Sequence, residues 1–222
     1  MTPVEGEVVV ASVRIATKSG RIRLIAEDRD DIEVDGRATV VTDDGRTTVE
    51  TTGNALEVRV PIGCDVVAGT VSGKVETKGP LGGVAIVTES GRVTVEQASS
   101  ADVRTASARI EVGRIGGEFR AHTNSGRITA EASGASDVST ASGRITLSEV
   151  SGRVRANCTS GRIEVRLVGA HDVEAETVSG RVTIELPPGT RPHLPDDPAE
   201  ARPPDCDCTI IARSVSGRVS VT

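Results

Sequence analysis

A three-residue phrase recurs along this chain at a nearly fixed interval, and the interval limits the folds open to it. Ser-Gly-Arg or Ser-Gly-Lys, in one copy Ser-Ala-Arg, begins at Ser72, Ser90, Ser107, Ser125, Ser142, Ser160 and Ser179, in steps of 18, 17, 18, 17, 18 and 19 residues. Outlying copies begin at Ser19 and Ser216, 53 residues before Ser72 and 37 after Ser179, close to three periods and two. Such a period marks a repeat architecture, whose units are too small to bury an apolar face alone and do so by stacking.

Aligning the copies exposes columns. Four residues before the serine stand Ile15, Ala68, Ile86, Val103, Ala121, Val138, Ala156, Ala175 and Ala212. Two before it the residue is Thr in seven of the nine copies (among them Thr88, Thr123 and Thr140), with Cys158 and Ser214 in the others. Three after it the residue is always Ile or Val, and five after it apolar residues or Thr77. Small or apolar residues at alternating positions on both sides of a turn predict two short strands facing one interior. A second turn falls midway through each period, as at 116–117, 133–134 and 151–152. Ser151 is thus the opposite corner of a coil, not an extra repeat. The expected fold is all-β: a two-sided β-solenoid of about 18-residue coils, each with two strands and two tight turns. The threonine column is expected inside, its hydroxyls bonding from coil to coil.

Composition agrees. The chain of 222 residues has one Phe, Phe119, and no Trp or Tyr, so its core must be filled by aliphatic residues and Thr, which suit a narrow pleated interior. The boundaries expected are irregular coils or capping hairpins over 1–54, then the solenoid over 55–222. The stretch 187–208 holds seven prolines and reads as a surface loop separating the last coil from the stack. The chain ends on "SVSGRVSVT", with Val219 and Val221 in core columns. An open last coil invites strand pairing, either with the returning loop or with a second copy; the prolines favour the second copy, a homo-oligomer through end coils.

"LEVRVPIGCDVVAGTVSGKVET" followed by repeated "SGRV" and "SGRI" resembles the bacterial putative-adhesin family of unknown function, also called toastrack-like domains. The likeness runs from about residue 55 to 222. It implies a β-solenoid and, for some members, a link to cell-envelope stress as assembly or sensing modules near membranes. It implies no catalytic residues.

Catalytic constellations are poorly represented. His122, His171 and His193 are the only histidines and read as solvated surface groups. Cys206 and Cys208, with His193, Asp196 and Asp197 nearby, suggest a soft-metal site only weakly, because C-x-C in a proline-rich loop lacks the paired spacing of a structural zinc site. Glu76, Glu111 and Glu164 recur four residues after the aligned serine as solvated face groups, without the aromatic platforms of sugar-processing enzymes. No phosphate-cradling glycine loop is present. No catalytic residue, cofactor or metal is expected. A net charge of −6 argues against a nucleic-acid binder. No apolar run or leader pattern suggests export, so the expected location is the cytoplasm, peripheral to a membrane at most.

One column carries more content. Directly after the corner glycine stand Arg92, Arg109, Arg127, Arg144, Arg162 and Arg181, continued outward by Lys74, Arg21 and Arg218. Stacked at coil spacing, these cations need counter-charges or water. Glutamates two or four positions on (Glu76, Glu96, Glu111, Glu131, Glu164, Glu185) can supply them. Two functions follow: a non-enzymatic scaffold presenting flat sheets to a protein partner, or a basic stripe for an anionic surface such as lipid headgroups or an envelope polymer.

Overall fold

The computed structural model of the protein describes residues 12–43, 45–51, 55–195 and 203–222. Among them the regular structure is entirely β, and most of it is one parallel stack. The coils are β6 (Asp65–Ile115), which winds on through several corners, then β7 (Phe119–Ser133), β8 (Ser136–Val150), β9 (Val154–Leu167) and β10 (Val173–Glu185). Each pairs with the next in parallel, and the columns of the sequence become columns in space. Ile128 faces Ile145, Ile145 faces Ile163 and Ile163 faces Val182, all buried. The alternation of apolar and polar residues sends every second side chain inward on both arms of a coil, and the small Ala and Val opposite the Ile row keep the interior narrow.

The ends depart from the expected order. β1 (Ser12–Glu27) lies directly against β6, with Ser19 beside Ser72 and Gly20 beside Gly73. The 53-residue step is therefore one coil in space, not three. The intervening chain makes another coil on the far side of β1, from β4 (Arg46–Thr51) and β5 (Ala55–Pro61). That coil is covered by antiparallel strands β3 (Thr39–Asp43) on β4 and β2 (Glu33–Asp35) on β5. Arg29 and Arg59 both hold Glu33, at 3.0 and 3.3 Å, tying the crossover to the coil beneath it. The Glu33 carboxyl lies below its ordinary range, first through its hydrogen bond from Arg29 and then through that from Arg59.

At the other end the 37-residue step is also a single coil. β12 (Cys208–Val221) pairs with β10 from Ile210 to Val221, Ser216 beside Ser179, so the proline-rich stretch does not separate the last coil from the stack. The loop returns far enough for β11 (Pro192–His193) to pair with Cys208 and Thr209. Proline lacks only the N–H donor, and a two-residue ladder survives that loss. Beyond Thr209 no described strand lies outside β12, and Val215 and Val219 are exposed.

The threonine column is buried, but among the described residues only two of its hydroxyls bond from coil to coil, Thr105 to the Glu89 carbonyl and Ser214 to that of Gly180, both at 3.5 Å. Thr17, Thr88 and Thr123 donate to the carbonyl two residues ahead in their own corner, at 2.9, 2.9 and 3.3 Å. Thr70, Thr140 and Thr177 have no hydrogen-bond partner among the described residues. These threonines fill space with the methyl and close the corner with the hydroxyl where its rotamer allows. Thr88→Val should therefore cost about 1 kcal/mol, the net worth of one such bond. Thr140→Val, which removes an unpaired buried hydroxyl, should leave the urea midpoint unchanged or raise it. Equal losses at both sites would show that the hydroxyls act alike.

Candidate functional site

The corner of each coil is built from three residues with distinct duties. The serine turns outward, the glycine lets the next coil approach, and the following cation projects from the edge. Successive glycines stack so closely that a Cβ on Gly161 would fall on the Gly143 carbonyl oxygen, and one on Gly180 on that of Gly161. The glycine row, broken only at Ala108, is thus a trough almost without side chains on its floor. It forms a groove of about 1040 Å³ running along the stack from Gly91 to Gly217. Arg109, Arg127, Arg144, Arg162, Arg181 and Arg218 line it, with Ser107 and Ser125 on the serine side.

The cations are paired unevenly. Arg109 meets Glu111 at 3.8 Å and Arg162 meets Glu164 at 3.4 Å, each carboxylate two residues on along the same strand. Lys74 contacts Glu76 in the same way and holds that carboxyl below its usual range. Where the residue two positions on is Thr129, Thr146, Thr183 or Ser220, the strand itself supplies no carboxylate, although Glu111 stands beside Thr129 and Glu164 beside Thr146 and Thr183 on neighbouring coils. Among the described residues Arg127, Arg144, Arg181 and Arg218 make no ion pair. The glutamates four positions on do not serve the column: Glu185 pairs instead with Arg166 at 2.7 Å. A fixed row of guanidinium groups with incomplete internal neutralisation can hold anions; it offers no nucleophile or general base.

The sequence model of the family described as Toastrack DUF4097 matches residues 10–191. The chain belongs to that family. Among solved structures, the "putative adhesin from Parabacteroides distasonis" is 18% identical, with a TM-score of 0.59 over 96% of this chain and 92% of that one. At that identity the likeness shows the fold. A "putative cell adhesion protein from Clostridium sporogenes" aligns over the same shares of the two chains at 7% identity, but its TM-score of 0.23 carries no argument. No curated protein matches.

Within this Toastrack fold, five of the six arginines singled out by the sequence line one groove. Arg92 is exposed beside the groove's end at Gly91 but is not part of its wall. Arg218 belongs to the wall, and its place after Ser216-Gly217 is the signal that finds it. The other candidates scatter. His122 is exposed, its Nδ1 2.7 Å from Ser139 Oγ. His193 is not a solvated surface group: β11 buries it, and its Nε2 has no partner among the described residues. Cys208 is a core residue at the start of β12, while Cys206 is half-buried. Asp196 and Asp197 lie outside the described residues, among which no three His, Cys, Asp or Glu side chains gather as metal ligands do. Burial pushes the Cys64 thiol up to about 11, with Asp65 adding to the effect, so it stays protonated and unreactive. No helix among the described residues is long and apolar enough to cross a membrane.

Proposed function

We propose that this Toastrack chain is a non-enzymatic interaction module that holds an anionic partner along its arginine-lined groove. The observation that carries this reading is the incomplete pairing of the row: four of its six guanidinium groups pair with no carboxylate among the described residues, although the same strands supply one at Arg109 and Arg162. A column kept only to protect the sheet edge would gain by pairing every coil, since like charges opposite one another destabilise a sheet. The adhesin description of the Parabacteroides neighbour fits a surface whose work is to hold another molecule. An envelope setting and a protein scaffold role suit the same fold, but the flat faces carry no feature as distinctive as the groove.

The triple substitution Arg127→Gln, Arg144→Gln and Arg162→Gln tests the reading. With about 1 kcal/mol per cation near an anionic surface, binding to dextran sulfate or to vesicles containing phosphatidylserine should weaken roughly 100-fold. The attraction should also fade as salt is raised, because the screening length is about 8 Å at physiological ionic strength. The unfolding midpoint should hold, since exposed charges contribute little stability. Undiminished binding by the triple variant would sink the proposal.

A further inference from the structure

We infer that the groove's ligand is a linear acidic polysaccharide, with one carboxylate per sugar residue, lying parallel to the solenoid axis. The inference rests on the anion-binding reading and adds the ligand's shape, period and chemistry. Arg109, Arg127, Arg144, Arg162, Arg181 and Arg218 face one another in strict ladder register, one per coil. Their period is therefore the distance between paired strands, about 4.8 Å. Ser107 and Ser125 border the groove beside this row, and Ser142, Ser160, Ser179 and Ser216 continue them in register, exposed but outside its lining. The site is a row of guanidinium groups along a narrow floor of glycine and Ala108, with two serine hydroxyls at one end.

Row and floor each narrow the ligand. A trough floored by glycine admits a slender chain, whereas a bilayer is flat and has no axial period to match. An extended acidic peptide presents side chains to one face every second residue, about 6.6 Å apart, and drifts out of step within a few coils. Single-stranded nucleic acid binds largely by stacking bases on aromatic side chains. The only aromatic residue here is Phe119, which is fully buried. Each residue of a 1,4-linked uronate chain spans nearly one coil and successive residues are turned over, so every second carboxylate meets the guanidinium row two coils on, in step with it.

Galacturonate oligomers of two to eight units, titrated calorimetrically, provide the test. Affinity should rise at least tenfold from the dimer to the hexamer and then level off, because six arginines line the groove. Methyl-esterified oligomers, which keep the shape but lose the charge, should not bind. A second variant leaves every arginine in place: Thr129→Glu with Thr146→Glu gives Arg127 and Arg144 the in-strand carboxylate that Arg109 and Arg162 already have, and should abolish the gain with length. If the chain binds dextran sulfate or phosphatidylserine vesicles but takes the hexamer no better than the dimer, the polysaccharide is wrong and the anion groove stands. If it binds no anion at all, both fall.

Discussion

Gly161→Ala should lower the thermal midpoint by roughly 6–12 °C, the equivalent of about 3 kcal/mol in a chain of this size. The methyl would land on the Gly143 carbonyl oxygen, and Cys158 Sγ lies 3.2 Å away, so neither backbone nor side chain leaves it room. Ala108 takes the glycine's place in one corner, and there the ladder lapses: Thr105 pairs with Thr123 and Arg109 with Arg127, but the residues between make no rung. In the glycine corners the serine, glycine and cation all pair. The Ala108 methyl does not explain that lapse, since a Cβ in this row faces the preceding coil and the next coil still comes close: one on Gly126 would lie 2.0 Å from the Ala108 oxygen. Gly116→Ala is the control, since nothing lies within 4 Å of a Cβ there, and its midpoint should move little. Equal shifts for the two variants would mean that the corner stack is not what the glycines are for.

Phe119→Ala should cost about 3–4 kcal/mol, the usual range for emptying a buried aromatic site. Phe119 opens β7 between Ala101 and Ser136, with no exposed surface. Its neighbours in register are small, and a stack held on both sides by hydrogen-bonded coils cannot close over the void. Phe119→Leu keeps most of the volume and should cost less than about 1.5 kcal/mol. Chemical denaturation of both variants decides the matter; a loss under 1 kcal/mol for alanine would show that the coils collapse more freely than their ladders suggest.

The regular coils were legible because their register is written twice, once in the Ser-Gly-Arg phrase and once in the Ile and Val three residues later. A ladder that pairs Ser142 with Ser160 must also pair Ile145 with Ile163. The order of the end coils was not legible. Residues 46–51 and 55–61 form the coil on the far side of β1 before β6 is laid against its near side, and such an insertion keeps the columns of Ser19 intact while hiding which coil they meet. In the groove, the partners two residues on were visible, because alternate residues share a face of a strand. The sequence offered Glu96, Glu131 and Glu185 on equal terms, yet Glu185 is taken by Arg166 on the neighbouring coil. The idle hydroxyl of Thr140 was beyond reach, since a rotamer inside a packed column leaves no trace in residue identity.

The placement of β1 bears on how the chain assembles. The interior coils meet neighbours 17 to 19 residues away, whereas β1 meets β6 across 53 residues and β10 meets β12 across 37. Closing the 53-residue loop costs about 1 kcal/mol more entropy than closing one of 18, since each doubling adds about 0.6 kcal/mol. The segment made first must also wait until the chain has grown past its 65–78 neighbours before its second flank can close. Growth should start among the middle coils and spread outward, so that in pulse-labelled hydrogen exchange the amides of 128–165 gain protection before those of 13–24.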